Sequence, residues 1–204
     1  AFRKSWIERH PPGWAEHREA FAPTGTYGSW IRRNNAIVKL NDTLFVHGGI
    51  SPKYAATPPS TINDTIRREL AQPVGSTVPL WDEVAGPLRY RGLAEDVDKA
   101  PDAHVDRVLA AQGVRRIVIG HTVTGTAILP RYQARVVNVD LGLSRFYGRP
   151  PACLVLEGRS AHVWHRETKI EFPEPGTADV SAYLKAVIAA DDQPSPVTRL
   201  LTGR

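Results

Sequence analysis

Two short apolar runs that each stop at a glycine-flanked histidine constrain this chain more than anything else in it. One reads Leu44-Phe45-Val46-His47-Gly48-Gly49-Ile50-Ser51-Pro52, the other Ile117-Val118-Ile119-Gly120-His121-Thr122. A few large apolar residues bounded by glycine make the pattern of a buried strand. Glycine beside the histidine admits positive φ, or the close approach of another group. Each imidazole is therefore expected at the C-terminal end of a strand, where sheets of α/β proteins gather ligands and reactive groups. Two such ends in one chain predict one site built from both.

The 204 residues suffice for one full domain. An apolar fraction of 42% excludes a disordered or fibrous chain. No apolar run approaches the roughly 18 residues of a membrane span. Ala1-Phe2-Arg3-Lys4-Ser5-Trp6 has no signal-peptide core, and the chain lacks Met altogether, so a processed or excised piece is expected. The lone Cys153 excludes an intrachain disulfide and reads as a buried small hydrophobe, which leaves the compartment open. The net charge of +5 is spread over pairs such as Arg32-Arg33, Arg67-Arg68 and Arg115-Arg116. That spread suits small anions and lacks the concentrated stripe of a nucleic-acid binder.

Pro11-Pro12-Gly13 splits Ser5–Ala22 into two short helices, and Thr26–Arg33 reads as a further helical turn with Tyr27, Trp30 and Ile31 on one face. Ala36–Leu40 and Thr43–Val46 flank Asn41-Asp42 as a hairpin. Ser60 or Thr61 can cap a helix with Ile62, Ile66 and Leu70 as its stripe, ended by Pro73 and Gly75. Pro101 opens a helix with Val105, Val108, Leu109 and Gln112 inward, and Gly113 stops it. Strands follow at Thr126–Arg131 and Arg135–Asp140, a hairpin at Ala152–Leu156 and Ala161–Trp164, and a helix at Ala178–Ala190. The expected division is residues 1–190 as domain and 191–204 as tail.

Neutral imidazole ligates borderline divalent ions. A lone histidine of this kind more often satisfies the core, but two in matched contexts favour a shared metal. A hydrolytic ion needs at least a third protein ligand, usually a carboxylate. Asp140, at the end of Asn138-Val139-Asp140, is the internal candidate, and a second role behind the histidines or in a turn fits it better. Asp102-Ala103-His104 has the form of a metal motif but opens a helix, where Asp102 complements the dipole; Asp106 is likewise structural. Arg91, and less so Arg89, could hold a phosphate through a bidentate fork. His162 and His165 read as polar residues at a strand edge.

Phe45–Pro52, then Arg91-Gly92, then Gly120-His121-Thr122 resemble, in order and spacing, the calcineurin-like metallophosphoesterases of the phosphoprotein phosphatase branch. Tyr27-Gly28-Ser29-Trp30-Ile31-Arg32 and Tyr90-Arg91-Gly92-Leu93 resemble its bacterial members, some of which act on phosphotyrosine. The resemblance implies an α+β fold, a β-sandwich flanked by helices in αββα order. It implies two divalent ions (Mn, Fe or Zn) whose bound hydroxide attacks a phosphate ester. His47 and His121 would then be ligands of the second ion, and Arg91 would hold the phosphate.

The same family carries Asp-x-His, Gly-Asp-x-x-Asp-Arg-Gly and Gly-Asn-His-Glu; the last two do not occur here, and the one Asp-x-His, Asp102-Ala103-His104, opens a helix instead of following a strand. The chain is thus expected to be the C-terminal portion of a phosphomonoesterase, inactive without the missing N-terminal half. Its partners would be that half and a phosphorylated protein or small phosphate ester, with no nucleic acid and no membrane. A phosphodiesterase or nucleotide hydrolase of the superfamily, and a non-catalytic metal-binding or interaction module, are the alternatives.

Overall fold

In the computed structural model, which describes residues 2–72, 75–97, 99–123 and 125–202, the two histidine-terminated runs are neighbouring parallel strands inside one sheet. Helices α1 (Phe2–Arg9) and α2 (Trp14–Phe21) flank the Pro-Pro-Gly break, and α3 (Thr26–Ile31) follows. The stripe expected on α3 is not core: Tyr27 and Trp30 are 55% and 57% exposed. Strands β1 (Ile37–Leu40) and β2 (Thr43–Val46) pair antiparallel across Asn41, whose φ of 53° is one that asparagine tolerates.

Helix α4 (Pro59–Leu70) starts before the expected Ser60 or Thr61 cap. Proline at the first helical position gives up no hydrogen bond, and its fixed φ is already helical. Pro73, expected as terminator, lies outside the described residues. Helix α5 (Asp102–Gln112) ends on Gly113 at φ 59°, the left-handed cap. Asp102 and Asp106 both pair with Arg135, which supports their structural reading.

Strands β3 (Arg116–Ile119), β4 (Leu129–Arg131) and β5 (Val136–Asn138) complete a mixed sheet of order β1-β2-β3-β5-β4. Its centre is parallel and its two edge strands antiparallel. A second, antiparallel sheet holds β6 (Ala152–Glu157), β7 (Ser160–His165) and β8 (Thr168–Glu171), followed by α6 (Ser181–Ala190) and α7 (Thr198–Thr202). This is an α+β fold. Period-two alternation divides the mixed sheet between two cores. Leu44, Val46, Ile117 and Ile119 pack against Ile62 and Ile66 of α4 and Val105 and Val108 of α5. Val118 and Val137 face Val163 and Ile170 of the second sheet and Leu184 and Val187 of α6.

An edge strand offers unpaired backbone groups. Asn63 of α4 covers part of the β1 edge: its Oδ1 accepts from the Ala36 and Ile37 N–H at 2.9 and 3.1 Å, and its Nδ2 donates to the Ile37 carbonyl at 2.8 Å.

Three expectations fail in the C-terminal third. Cys153 is exposed, because it lies on an outward position of β6. His162 and His165 are buried rather than edge residues. The segment read as a tail is tied down: His165 Nε2 donates to Asp191 Oδ1 at 2.7 Å, and Ser195 Oγ donates to Asp191 Oδ2 at 2.6 Å. Val197 joins the core. Local sequence could not show this, since His165 finds its partner Asp191 26 residues away.

Leu44 is fully buried, and Leu40 of the adjacent strand is 57% exposed. Leu44→Ala should lower unfolding free energy by about 3 kcal/mol, and Leu40→Ala by less than roughly 0.5 kcal/mol, in urea titration. Equal losses would contradict the burial pattern. Burial alone would raise the Asp191 pKa, but hydrogen bonds from Ser195, His165 and Arg166 outweigh it and hold the carboxyl below its ordinary 3.8. Its contribution is therefore complete above pH 3.8 and fades as pH falls through the folded-state value. Asp191→Asn should cost roughly 2 kcal/mol at pH 7 and show a shallower loss of stability on acidification below pH 4 than wild type.

Candidate functional site

Parallel pairing sets Val46 beside Ile119, and so His47 beside Gly120, whose N–H donates to the His47 carbonyl at 2.9 Å. Side chains alternate along an extended strand, so a straight continuation would send His47 and His121 to opposite faces. The chain does not continue straight. His121 has φ 65°, and the Thr122 N–H donates to the Gly120 carbonyl at 2.7 Å, closing a three-residue γ-turn of the rare positive-φ kind. That turn brings the imidazoles together: His47 Nε2 and His121 Nδ1 are in hydrogen-bond contact, with ring centroids 4.4 Å apart and planes at 74°. Such a conformation costs roughly 1–3 kcal/mol and persists only where neighbours enforce it. Here Asn138 Nδ2 donates to the Thr122 carbonyl at 2.9 Å, and the Val139 N–H donates to the Ile119 carbonyl at 2.9 Å.

The loop carrying Arg91 is fastened from both sides. The Gly48 and Gly49 N–H groups both donate to the Pro87 carbonyl, at 2.9 and 3.3 Å. A Cβ on Gly48 would fall 2.5 Å from Arg91 Nη1 and 2.8 Å from the Tyr90 carbonyl oxygen, so only glycine allows this approach. On the far side the Tyr132 hydroxyl lies 2.9 Å from both the Gly92 and Ala100 carbonyls, and Arg131 Nε donates to the Leu93 carbonyl at 2.9 Å. Arg91 itself donates only to the Leu88 and Tyr90 carbonyls and has no carboxylate ion pair among the described residues. Arg89 differs: it pairs with Asp82 at 2.6 Å, so its charge is already answered.

Desolvation by burial, and then the positive charge of Arg91, lower the pKa of His47 and of His121; the Asp140 carboxylate opposes both shifts without reversing them. Both shifts favour the neutral ring, the form with a lone pair to give. Asp140 Oδ1 accepts the Gly142 N–H at 3.0 Å, the turn role expected of it. His104, the histidine of Asp102-Ala103-His104, is buried on the inner face of α5 and donates from Nε2 to the Ile50 carbonyl at 2.7 Å. Among the described residues no group of three or more His, Cys, Asp or Glu is placed to hold a metal ion. The facing His47 and His121 nitrogens suit a borderline divalent ion in donor type, as one part of its ligand set.

Two hollows adjoin these residues. A cleft of about 380 Å³ is lined by Arg91, Glu95, His121, Thr122, Tyr147 and Arg149. A larger groove of about 850 Å³, mostly apolar, runs past Tyr90 and Arg89 to Val78 and Val84. Sequence reasoning did not reach Glu95, Tyr147 or Arg149, because irregular segments with no motif of their own carry them to the cleft.

No known family profile matches the sequence. An uncharacterized protein of Schizosaccharomyces pombe is 30% identical over 127 residues, which is 59% of this chain and 38% of that protein. The structure of a cold-active protein tyrosine phosphatase superposes with a TM-score of 0.68 at 24% identity, covering 78% of this chain and 48% of the other. That of the cold-active protein tyrosine phosphatase of a psychrophilic Shewanella superposes at 0.65 and 24%, covering 74% and 46%. The chain therefore spans less than half the length of each of these relatives, and its fold resembles part of a phosphatase structure.

Proposed function

We propose that the chain is the part of a metal-dependent phosphomonoesterase that supplies two imidazole ligands, His47 and His121, and the phosphate-binding Arg91. The observation that carries this reading is the convergence of two strand-end imidazoles beside a guanidinium with no carboxylate ion pair among the described residues. Bound divalent ions supply Lewis acidity toward the phosphoryl oxygens and lower the pKa of water. The roles of the chain's own groups follow from their chemistry. His47 offers Nε2 and His121 offers Nδ1, and the γ-turn fixes the second ring before any ligand arrives. Arg91 presents a planar fork of donors suited to two phosphate oxygens. Asp140 adds a negative charge that both rings feel and, through Gly142, orders the turn behind them. The likeness to protein tyrosine phosphatase structures supports a phosphoprotein substrate, with phosphotyrosine first among the residues to test. The absence of a cluster of three or more metal-binding residues among the described ones supports the view that the remaining ligands come from outside this chain.

In the intact protein, assayed with Mn²⁺ and an aryl phosphate, His121→Ala should lower kcat at least a hundredfold. Arg91→Ala should lower kcat/KM by about a hundredfold, the loss of a charge-assisted fork worth roughly 3 kcal/mol. Unchanged turnover in His121→Ala would sink the assignment. Isothermal titration of this chain alone separates the rival reading: tight binding of one ion, with no phosphatase activity in the intact protein, would make it a metal-binding module.

A further inference from the structure

The cleft at His121 is lined by two guanidinium groups, and the function proposed above uses only one. Arg149 lies at the end of the segment that follows Asp140, lines the same cleft as Arg91, and has no carboxylate partner among the described residues. Glu95 is the one carboxylate among the cleft's lining residues, and its charge acts on Arg91. Two guanidiniums thus line this cleft against one carboxylate. An anion held by Arg91 would leave Arg149 without a counter-charge.

The wall that carries Arg149 is built, not incidental. Gly142 takes φ 65° while its N–H donates to Asp140 Oδ1, and the Tyr147 ring lies directly on its backbone. A Cβ at residue 142 would come 2.6 Å from Tyr147 Cγ, so the ring can settle there only over glycine. The Tyr147 and Gly148 N–H groups both donate to the Ser144 carbonyl, at 3.1 and 3.2 Å, closing the turn. Asp140, which acts on both imidazoles, thus also anchors the segment that presents Arg149.

We propose that Arg149 is a substrate-binding residue that takes a second anionic group on the ligand whose phosphate Arg91 holds. The substrate class is then a phosphate monoester bearing another phosphate or a carboxylate close to the group transferred. This rests on the reading of Arg91 given above.

Binding to this chain tests it without requiring turnover. Inorganic phosphate serves as the probe with one anionic centre and pyrophosphate as the probe with two, each titrated by NMR. Arg149→Ala should weaken pyrophosphate about tenfold and phosphate less than twofold, whereas Arg91→Ala should weaken both. Arg149→Lys should recover part of the pyrophosphate affinity. A phosphotyrosyl peptide with glutamate beside the phosphoresidue, set against its glutamine counterpart, identifies the source of the second charge. A glutamate preference that Arg149→Ala abolishes assigns a carboxylate; an effect confined to pyrophosphate assigns a phosphate. If Arg149→Ala binds pyrophosphate as wild type does while Arg91→Ala does not, this inference falls and the phosphate role of Arg91 stands. If Arg91→Ala binds phosphate as wild type does, or wild type binds neither anion, both fall.

Discussion

The parallel pairing of β2 with β3 is the interaction on which the site depends. A slip of one residue would turn every side chain of one strand to the other face and separate the two histidines. Burial alone does not set this register, because both faces of both strands are apolar: Leu44, Val46, Ile117 and Ile119 on one side, Phe45 and Val118 on the other. The ends of the pair add what the pattern lacks. Before the strands, the Arg115 N–H donates to the Asp42 carbonyl at 2.9 Å and its guanidinium Nε to Asp42 Oδ2 at 2.6 Å. After them, the Gly120 N–H donates to the His47 carbonyl. The ladder is pinned at both ends, and the histidines lie just beyond one pin.

Register alone would still leave the rings on opposite faces. The γ-turn at His121 corrects the parity, and its cost is local while its support is distributed over Asn138, Val139 and the buried strand before it. Arg91 is brought in by the same logic, since Gly48 and Gly49 share the Pro87 carbonyl and the bare Cα of Gly48 makes room for the guanidinium. One cation then does two things. On the proposed reading it offers donors to an anion, and its charge adds to desolvation in favouring the neutral imidazoles. The glycines beside His47 are therefore steric conditions for the electrostatics of the site.

What could be read in the sequence was what short-range chemistry decides. The Asn41-Asp42 hairpin, the Gly113 stop of α5 and the strand-end positions of His47 and His121 all depend on a residue and its immediate neighbours. What could not be read depends on distant partners. Tyr27 and Trp30 have helical spacing, but apart from the Phe21 ring 5.4 Å from that of Tyr27 no aromatic ring packs on them among the described residues, and the stripe stays exposed. Thr168–Glu171 has a single apolar residue, Ile170, and is a strand because β7 pairs with it. His165 is buried because Asp191 comes back to meet it. In the site, Arg91 was visible through its motif, while Tyr147 and Arg149 owe their place to the φ of Gly142, which no spacing rule reports.

The same contrast separates scaffold from chemistry in this chain. Both cores close with residues of the chain itself, and part of the β1 edge is covered by Asn63. What remains open between the sheets is a groove of about 450 Å³ along Phe45, Val118, Val139, Leu154 and Leu156. On the proposed reading the ligand set is partial, since a hydrolytic ion takes about three protein ligands and the turn would deliver two imidazoles. Groups held in a costly conformation before binding need no reorganisation when a ligand arrives, and that saving appears as affinity. If His121 is a ligand as proposed, its strained turn on a fully packed strand would hold the ring in place for ligands added later, without reassembly of the strand beneath it.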